Sequence, residues 1–239
     1  MRYTILVLCF ITTISFADKE KELIIKKLSD NVYQHISHKV IEPWGLVAAS
    51  GLVVIDNNNA HIIDTPWTLA GNKQLLTWIK AKNLIVKSAV VTHFHEDASK
   101  GLKWLNSLNI DTYALPLTNK LLASKEREQS SHEITSDSFE LASGAIEIFH
   151  PGAGHSQDNI VVWLPKNKLL FGGCFTKSLS SKNLGNTEDA IIEDWPSSID
   201  NVLKKYPNIK TVVPGHGKIG DTSLLKHTKE LAISLSALK

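Results

Sequence analysis

Six side chains of the types that bind transition metals occur in four short segments of this chain. In one segment, two imidazoles and a carboxylate stand together; in the other three, a single histidine or cysteine stands next to glycine. The segments are His93-Phe94-His95-Glu96-Asp97, Gly152-Ala153-Gly154-His155, Gly172-Gly173-Cys174 and Pro214-Gly215-His216-Gly217. Imidazole nitrogen, thiolate sulfur and carboxylate oxygen are the ligands that zinc prefers, so these segments predict a zinc site.

Six ligands are enough for two zinc ions. The chemically sensible division gives one ion three imidazoles and the other ion a mixed set, namely His93, His95 and His155 for the first and Asp97, Cys174 and His216 for the second. Catalytic zinc usually keeps a coordination position for water and lowers its pKa from about 15.7 to about 7. A hydroxide nucleophile would then be available at neutral pH without a covalent intermediate.

Each ligand segment follows an apolar run that predicts a strand. The runs end at Val91, Phe149, Phe171 and Val213. Loops held by rigid strands are where sites are usually built, and the glycines permit the backbone bends and close approach of a packed metal site. We therefore expect the four segments to converge.

The remaining pattern alternates between strands and helices, which predicts an α/β protein with sheets covered by helices. Besides the runs above, we predict strands at Val32–His35, Leu46–Val54, His61–Asp64, Thr112–Ala114 and Ile160–Leu164. Helices are predicted at Leu69–Lys82, Lys100–Leu108, Thr118–Lys125, Ser197–Lys205 and Thr222–Leu238. The polar segment Lys125–Ser138 is predicted to be a mobile surface loop.

Composition narrows the class of protein. The chain has 239 residues, of which 43% are hydrophobic, and a formal net charge of +2. These values fit one globular domain with a substantial core and exclude disordered and collagen-like proteins. Because 26 Lys and Arg residues balance 24 Asp and Glu residues without a basic stripe, we expect no nucleic-acid partner.

The amino terminus has the layout of a secretory signal peptide. Arg2 precedes an apolar run, and Ser15-Phe16-Ala17 places small residues before a cleavage site. The run is too short for a stable membrane span, so we expect residues 1–17 to be removed and residues 18–239 to form one domain. Cys9 falls in the removed part, which leaves Cys174 as the only cysteine of the mature chain.

The quoted segments resemble the metallo-β-lactamase superfamily, whose hallmark is His-x-His-x-Asp after a buried strand. Many hydrolases of that superfamily carry a metal-binding histidine after the aspartate, where this chain has Ala98. Cys174 supplies the missing ligand, which is similar to the class B β-lactamases of the di-zinc subclass with a cysteine ligand (subclass B1). The resemblance spans Leu46 to His216 and implies an αβ/βα four-layer sandwich, with two sheets face to face, helices outside and the metals at one edge.

The resemblance also implies an activity, which is hydrolysis of the amide bond of penicillins, cephalosporins and carbapenems by a periplasmic, monomeric resistance enzyme. Lys177 matches a lysine that pairs with the substrate carboxylate, and Asn186 matches an asparagine near the lactam carbonyl. Trp44 resembles the aromatic tip of a flexible hairpin that closes over the antibiotic. Asp97 would orient the hydroxide, and Asp64 resembles a buried aspartate that supports the metal loop.

Two positions beside the second metal depart from the subclass: Ala98 replaces a polar residue, and Lys100 stands where a glycine is usual. One alternative is another exported metallo-hydrolase of the same fold that acts on an ester, thioester, lactone or phosphodiester, although Lys177 and Asn186 argue against it. The other alternative is a zinc-binding protein without catalysis. The remaining histidines have no ligand-type neighbours at useful spacing and are interpreted as structural or solvated: His35, His38, His61, His132, His150 and His227.

Overall fold

The strands form two sheets in the computed structural model, which describes residues 21–136 and 138–237. The first sheet follows chain order and consists of β1 (Ile24–Lys27), β2 (Val32–Ile41), β3 (Gly45–Asp56), β4 (Asn59–Ile63), β5 (Ile85–Val90), β6 (Asp111–Ala114) and β7 (His132–Glu133). The second sheet has the order β12-β11-β10-β9-β8. Its strands are β8 (Ser138–Leu141), β9 (Ile146–Phe149), β10 (Val161–Leu164), β11 (Leu169–Gly173) and β12 (Thr211–Pro214).

The helices lie on the outer faces of these sheets. They are α1 (Leu69–Ala81), α2 (Glu96–Ser99), α3 (Leu102–Ser107), α4 (Pro116–Ser124), α5 (Trp195–Lys205) and α6 (Ser223–Ser236), and a short 3₁₀ turn spans Pro165–Asn167. None of the helices in the two described ranges is long and apolar enough to cross a lipid bilayer.

The side chains of the strands alternate between two cores, and this alternation shows the four layers. In β3, Val53 packs with Leu75 and Ile79 of α1, whereas its neighbours Leu52 and Val54 belong to the core between the sheets. Successive side chains of a strand point to opposite faces, so one strand contributes to two cores.

The second sheet repeats this arrangement. Trp163 of β10 packs with Trp195 of α5 and Leu225 of α6, whereas Val162 faces the first sheet. Because each sheet is covered by helices on one face and by the other sheet on the opposite face, the αβ/βα sandwich expected from the sequence is confirmed.

Several local predictions need correction. Strand β2 extends to Ile41 because it pairs with β3 along its whole length. Strand β1 lacks the apolar alternation of a buried strand and is missed, although it pairs with β2 and its Ile25 packs against the core under α1. The prediction that Lys125–Ser138 is a surface loop is wrong in part, because β7 pairs with β6 and Ile134 is buried. Finally, Asp97 lies on the short helix α2 and not in the loop expected after the preceding strand.

Candidate metal centre

The carboxyl ends of several strands meet at one edge of the sandwich. Strand β11 is parallel to β12, and β9 runs in the same direction because both β9 and β11 are antiparallel to β10. Backbone hydrogen bonds join this edge to the first sheet, where Ile160 donates to the Thr92 carbonyl at 2.9 Å and Ser50 donates to the Gly215 carbonyl at 2.8 Å. The four ligand segments therefore converge, as their common position after strands predicts.

Three imidazoles form the first set of ligands. His95 Nδ1 lies 3.1 Å from His155 Nε2. The His93 ring stands edge-on to both, with centroid distances of 4.8 Å to His95 and 5.0 Å to His155. His93 Nε2 is buried and has no hydrogen-bond partner in the described part of the chain. An unpartnered imidazole nitrogen facing two others is the arrangement that a metal ion would satisfy.

Asp97 is the centre of the second set. Its Oδ2 atom lies 3.0 Å from Cys174 Sγ and 3.1 Å from His216 Nε2, and these two atoms are 3.3 Å apart. The other ring nitrogen of His216, Nδ1, donates to the Ala48 carbonyl at 2.7 Å, which leaves Nε2 as the ligand atom. Glycine is needed beside this set, because a Cβ atom at Gly215 would lie 2.7 Å from Cys174 Sγ.

The protonation states suit a cation at this position. Burial lowers the pKa of His93 to about 3, so its imidazole is neutral and offers a lone pair. Burial alone would raise the pKa of Asp97, but hydrogen bonds and charge from His216 and His93 hold that pKa well below its ordinary value. Burial and the charge of Asp97 raise the pKa of the Cys174 thiol far above its ordinary value.

A metal cation beside the thiol would lower the pKa of Cys174 again, because a positive charge favours the thiolate, which is the form that binds metal. His216 supplies the remaining nitrogen of this set. The residues present therefore fit zinc in both sets: three imidazoles in one, and a carboxylate, a thiol and an imidazole in the other.

A cavity of about 450 Å³ opens over the ligands. The sequence-predicted substrate residues Lys177, Asn186 and Trp44 all line it. Trp44 sits between β2 and β3 with 56% of its surface exposed, whereas Lys177 is only 9% exposed. The volume lies in the range of ordinary small-molecule sites.

The comparisons with known proteins identify the family. A model of the metallo-β-lactamase superfamily matches residues 44–216. A metallo-β-lactamase type 2 from Pseudomonas aeruginosa is 42% identical over 230 residues, which cover 96% of this chain and 92% of the relative. The chain belongs to the metallo-β-lactamase superfamily.

Solved structures of the superfamily agree with this assignment. A crystal structure of VMB-1 is 63% identical, with a TM-score of 0.89 over 90% of this chain and 99% of that chain. The metallo-β-lactamase DIM-1, in a crystal structure described as exposed to ceftazidime, is 46% identical, with a TM-score of 0.90 over 91% of this chain and 100% of that chain. The resemblance inferred from the sequence motifs is thereby confirmed.

Asp64 lies beneath the metal-binding loop of this superfamily member. Its buried carboxylate accepts hydrogen bonds from the Thr92 amide at 2.7 Å and from the Thr92 hydroxyl at 2.8 Å. Burial raises the pKa of Asp64 to about 8, although the hydrogen bonds from Thr92 act to lower it. Because Thr92 directly precedes His93, these bonds hold the start of the metal-binding segment.

Asp189 is a positioning residue that the sequence reasoning missed. Its Oδ2 atom lies 2.9 Å from His95 Nε2, the ring nitrogen that does not face His155. A carboxylate at this position keeps the proton on Nε2, so that Nδ1 presents its lone pair to a metal. No local signal marks Asp189, which stands 94 residues from His95 in a polar segment.

We predict that Asp189→Asn weakens zinc binding at the three-histidine set. The variant removes the charge that supports His95, and loss of such a partner typically costs about 10–100-fold in metal affinity or activity. Competition with a chromophoric chelator measures the affinity. The neighbouring exposed residue Glu188 provides the control variant Glu188→Gln. Equal zinc affinities for the two variants would contradict the assigned role.

One of the two departures from the subclass, Lys100, has a structural explanation, and nothing in the structure explains Ala98. Lys100 Nζ lies 2.8 Å from Glu96 Oε1, and Lys39 Nζ of β2 lies 2.6 Å from Glu96 Oε2. Lys100 therefore belongs to an ionic cluster with Glu96 and Lys39. Burial alone would raise the pKa of Glu96, but the two lysines lower this pKa to about 2. Ala98 is buried, and its carbonyl accepts a hydrogen bond from the Thr65 amide. Sequence reasoning did not identify the ionic cluster of Glu96, Lys39 and Lys100.

The other histidines lie outside the metal centre. Neither of the two candidate metal-binding groups found in the described ranges includes any of them. His35 is buried and its Nε2 atom contacts the Asp64 carbonyl, His61 contacts the Ser88 hydroxyl, and His150 contacts the Gln157 carbonyl. The contacts of these three fit the structural interpretation made from the sequence.

Proposed function

We propose that this chain is a zinc-dependent β-lactamase that hydrolyses the amide bond of β-lactam antibiotics and confers resistance to them. The observation that carries the proposal is the pair of adjacent ligand sets, four of whose six side chains line a cavity that is also lined by the buried ammonium of Lys177. Penicillins, cephalosporins and carbapenems all combine a strained amide with a nearby carboxylate, which is the pair of groups that this cavity would recognise. The names of the relatives support the same activity.

Two zinc ions would be held by residues of both sets: His93, His95 and His155 in one, and Asp97, Cys174 and His216 in the other. When bound, zinc lowers the pKa of water and polarises a carbonyl group. Asp97 stands between the sets, since its Oδ1 atom lies 3.5 Å from His93 Nε2 while Oδ2 faces Cys174. Oδ1 is therefore the atom placed to accept a hydrogen bond from the attacking water and to orient it.

Lys177, Asn186 and Trp44 bind and orient the substrate. The Lys177 ammonium forms no ion pair with any carboxylate of the described ranges, and its Nζ atom lies 5.4 Å from the centre of the Trp195 ring. A buried cation of this kind attracts the substrate carboxylate. The Asn186 Oδ1 atom accepts from the Glu188 amide at 3.0 Å, so the amide group of Asn186 can donate to the lactam oxygen. Trp44 covers the apolar part of the substrate.

We predict that Lys177→Met raises KM for benzylpenicillin by about 10–100-fold, because a hydrogen bond to a charged group contributes about 1.5–3 kcal/mol. kcat changes much less, since the lost contact is made equally in the ground state and the transition state. Steady-state kinetics measure both constants. The exposed residue Lys182 provides the control variant Lys182→Met. A fall in kcat at constant KM would exclude the assigned role.

The test of the proposed function is hydrolysis of a chromogenic cephalosporin and a carbapenem by residues 18–239. We expect turnover with zinc, loss of turnover with a chelator and recovery when zinc is restored. Two bound zinc ions without turnover of any lactam would overturn the proposal and favour a different substrate or a zinc-binding role.

Export is supported by the signal-peptide pattern of residues 1–17, which lie outside the described residues. We propose that they are removed on export to the periplasm and that residues 18–239 act as a single-domain monomer. Mass spectrometry of the periplasmic protein tests the first point, because it should begin at Asp18. Light scattering tests the second.

A further inference from the structure

Arg127 lines the same cavity as the metal ligands, although it belongs to the segment predicted to be a surface loop. It follows α4, and its Nη1 atom donates to the Phe94 carbonyl at 3.1 Å. Phe94 stands between His93 and His95, so this bond holds the guanidinium next to the metal-binding segment. Arg127 thus belongs to the part of the chain that builds the first sheet, whereas Lys177 follows a strand of the second.

The Arg127 guanidinium has hydrogen-bonding capacity to spare. A guanidinium carries five N–H donors, and one of these is used on Phe94. Arg127 forms no ion pair with a carboxylate in the portion of the chain that the structure describes. The cation is therefore available to a ligand.

Two acidic residues, Glu96 and Asp97, line the same cavity, and neither pairs with Arg127, since Asp97 lies against Cys174 and His216. Glu96 is bound by Lys39 at 2.6 Å and by Lys100 at 2.8 Å, so two ammonium groups compensate one carboxylate. An anion that approaches Arg127 consequently meets a wall with a surplus of positive charge.

We propose that Arg127 is a specificity-determining residue that selects β-lactams with a second negative charge on the acyl side chain. The proposal rests on the proposed β-lactamase activity. Lys177 takes the carboxylate next to the lactam ring, which leaves Arg127 to contact an anion elsewhere on the same molecule. The fork of N–H donors suits a carboxylate, which it binds through two parallel hydrogen bonds.

Three penicillins provide a matched test, because they differ in charge at the same side-chain carbon: carbenicillin carries a carboxylate there, benzylpenicillin carries no charge and ampicillin carries an ammonium group. The variant Arg127→Gln removes the charge but keeps an amide donor for the Phe94 carbonyl. Lys125→Gln is the control, because Lys125 is an exposed cation of the same segment and does not line the cavity.

In Arg127→Gln, we expect KM for carbenicillin to rise about 3–10-fold relative to KM for benzylpenicillin, a size suited to a partly exposed ion pair with a favourable fork geometry. KM for ampicillin should fall relative to benzylpenicillin. Arg127→Lys should recover part of the preference, and Lys125→Gln should keep that of the unmodified protein. Equal changes for all three penicillins would show that Arg127 only supports the Phe94 loop and would overturn the proposal. No change for any of them would overturn it as well.

Failure of this proposal is distinguishable from failure of the proposed function. Turnover of benzylpenicillin by the unmodified zinc-loaded protein tests the activity itself. Calorimetric titration of the zinc-loaded protein with the same three penicillins measures Kd without relying on turnover. If benzylpenicillin is not hydrolysed, the ratio of Kd values for carbenicillin and benzylpenicillin in the unmodified protein and in Arg127→Gln still decides the role of Arg127.

Discussion

Asp97→Asn is expected to lower kcat/KM for β-lactam hydrolysis by about 1,000-fold, which corresponds to about 4 kcal/mol of transition-state stabilisation. Asp97 has two tasks, since Oδ2 contacts both Cys174 and His216 while Oδ1 faces His93. Asparagine has nearly the same shape, but it has no negative charge and one of its two terminal groups donates hydrogen bonds. The substitution therefore weakens metal binding at the second set and disturbs the hydrogen bond that orients the attacking water.

The measurement is steady-state hydrolysis of a chromogenic cephalosporin at saturating zinc. Asp194→Asn is a suitable control, because Asp194 is exposed and its side chain makes no capping hydrogen bond at α5. If Asp97→Asn kept kcat/KM within tenfold of the unmodified protein, Asp97 would have neither the metal-binding nor the orienting role assigned here.

Cys174→Ser is expected to reduce the bound zinc from two ions to one and to lower kcat/KM by about 100-fold. Cys174 is 5% exposed, and its Sγ atom lies within 3.3 Å of a carboxylate oxygen and an imidazole nitrogen. A serine hydroxyl fits the same space but remains protonated at neutral pH, so it is a poor ligand for zinc. The three-histidine set keeps its own ion.

Zinc content after dialysis, together with kcat/KM for the same cephalosporin, measures both effects. Thermal unfolding without zinc provides the folding control, since serine is smaller than cysteine and clashes with nothing at Gly215. Two tightly bound ions in Cys174→Ser would show that the thiol is not a ligand.

The ligand set was predictable from the sequence for a physical reason. Strands that end at one edge bring their following residues together, and glycine marks the positions where backbones must pass closely. Gly215 illustrates this point, because its lack of a side chain leaves room for Cys174 Sγ. Both signals are local, so apolar runs and neighbouring residues reveal them.

The β-sandwich was predictable to a lesser degree. Apolar runs predicted most strands and helices, but the arrangement of two sheets came from the resemblance to a family. Strand β1 was missed because its residues are half-exposed or exposed, so no apolar alternation marks it along the chain. Strand β7 was missed for the same reason, since both of its residues are exposed.

By itself, the sequence determined the candidate zinc ligands, the class of fold and the family, because these depend on residue type and local pattern. Only the tertiary structure decided what surrounds the ligands. It placed Asp189 on His95, joined Lys39 to Glu96 and directed Arg127 into the cavity. These contacts join segments far apart in the chain, and their existence depends on how loops from different elements approach one another. No periodicity or spacing along the chain encodes that approach.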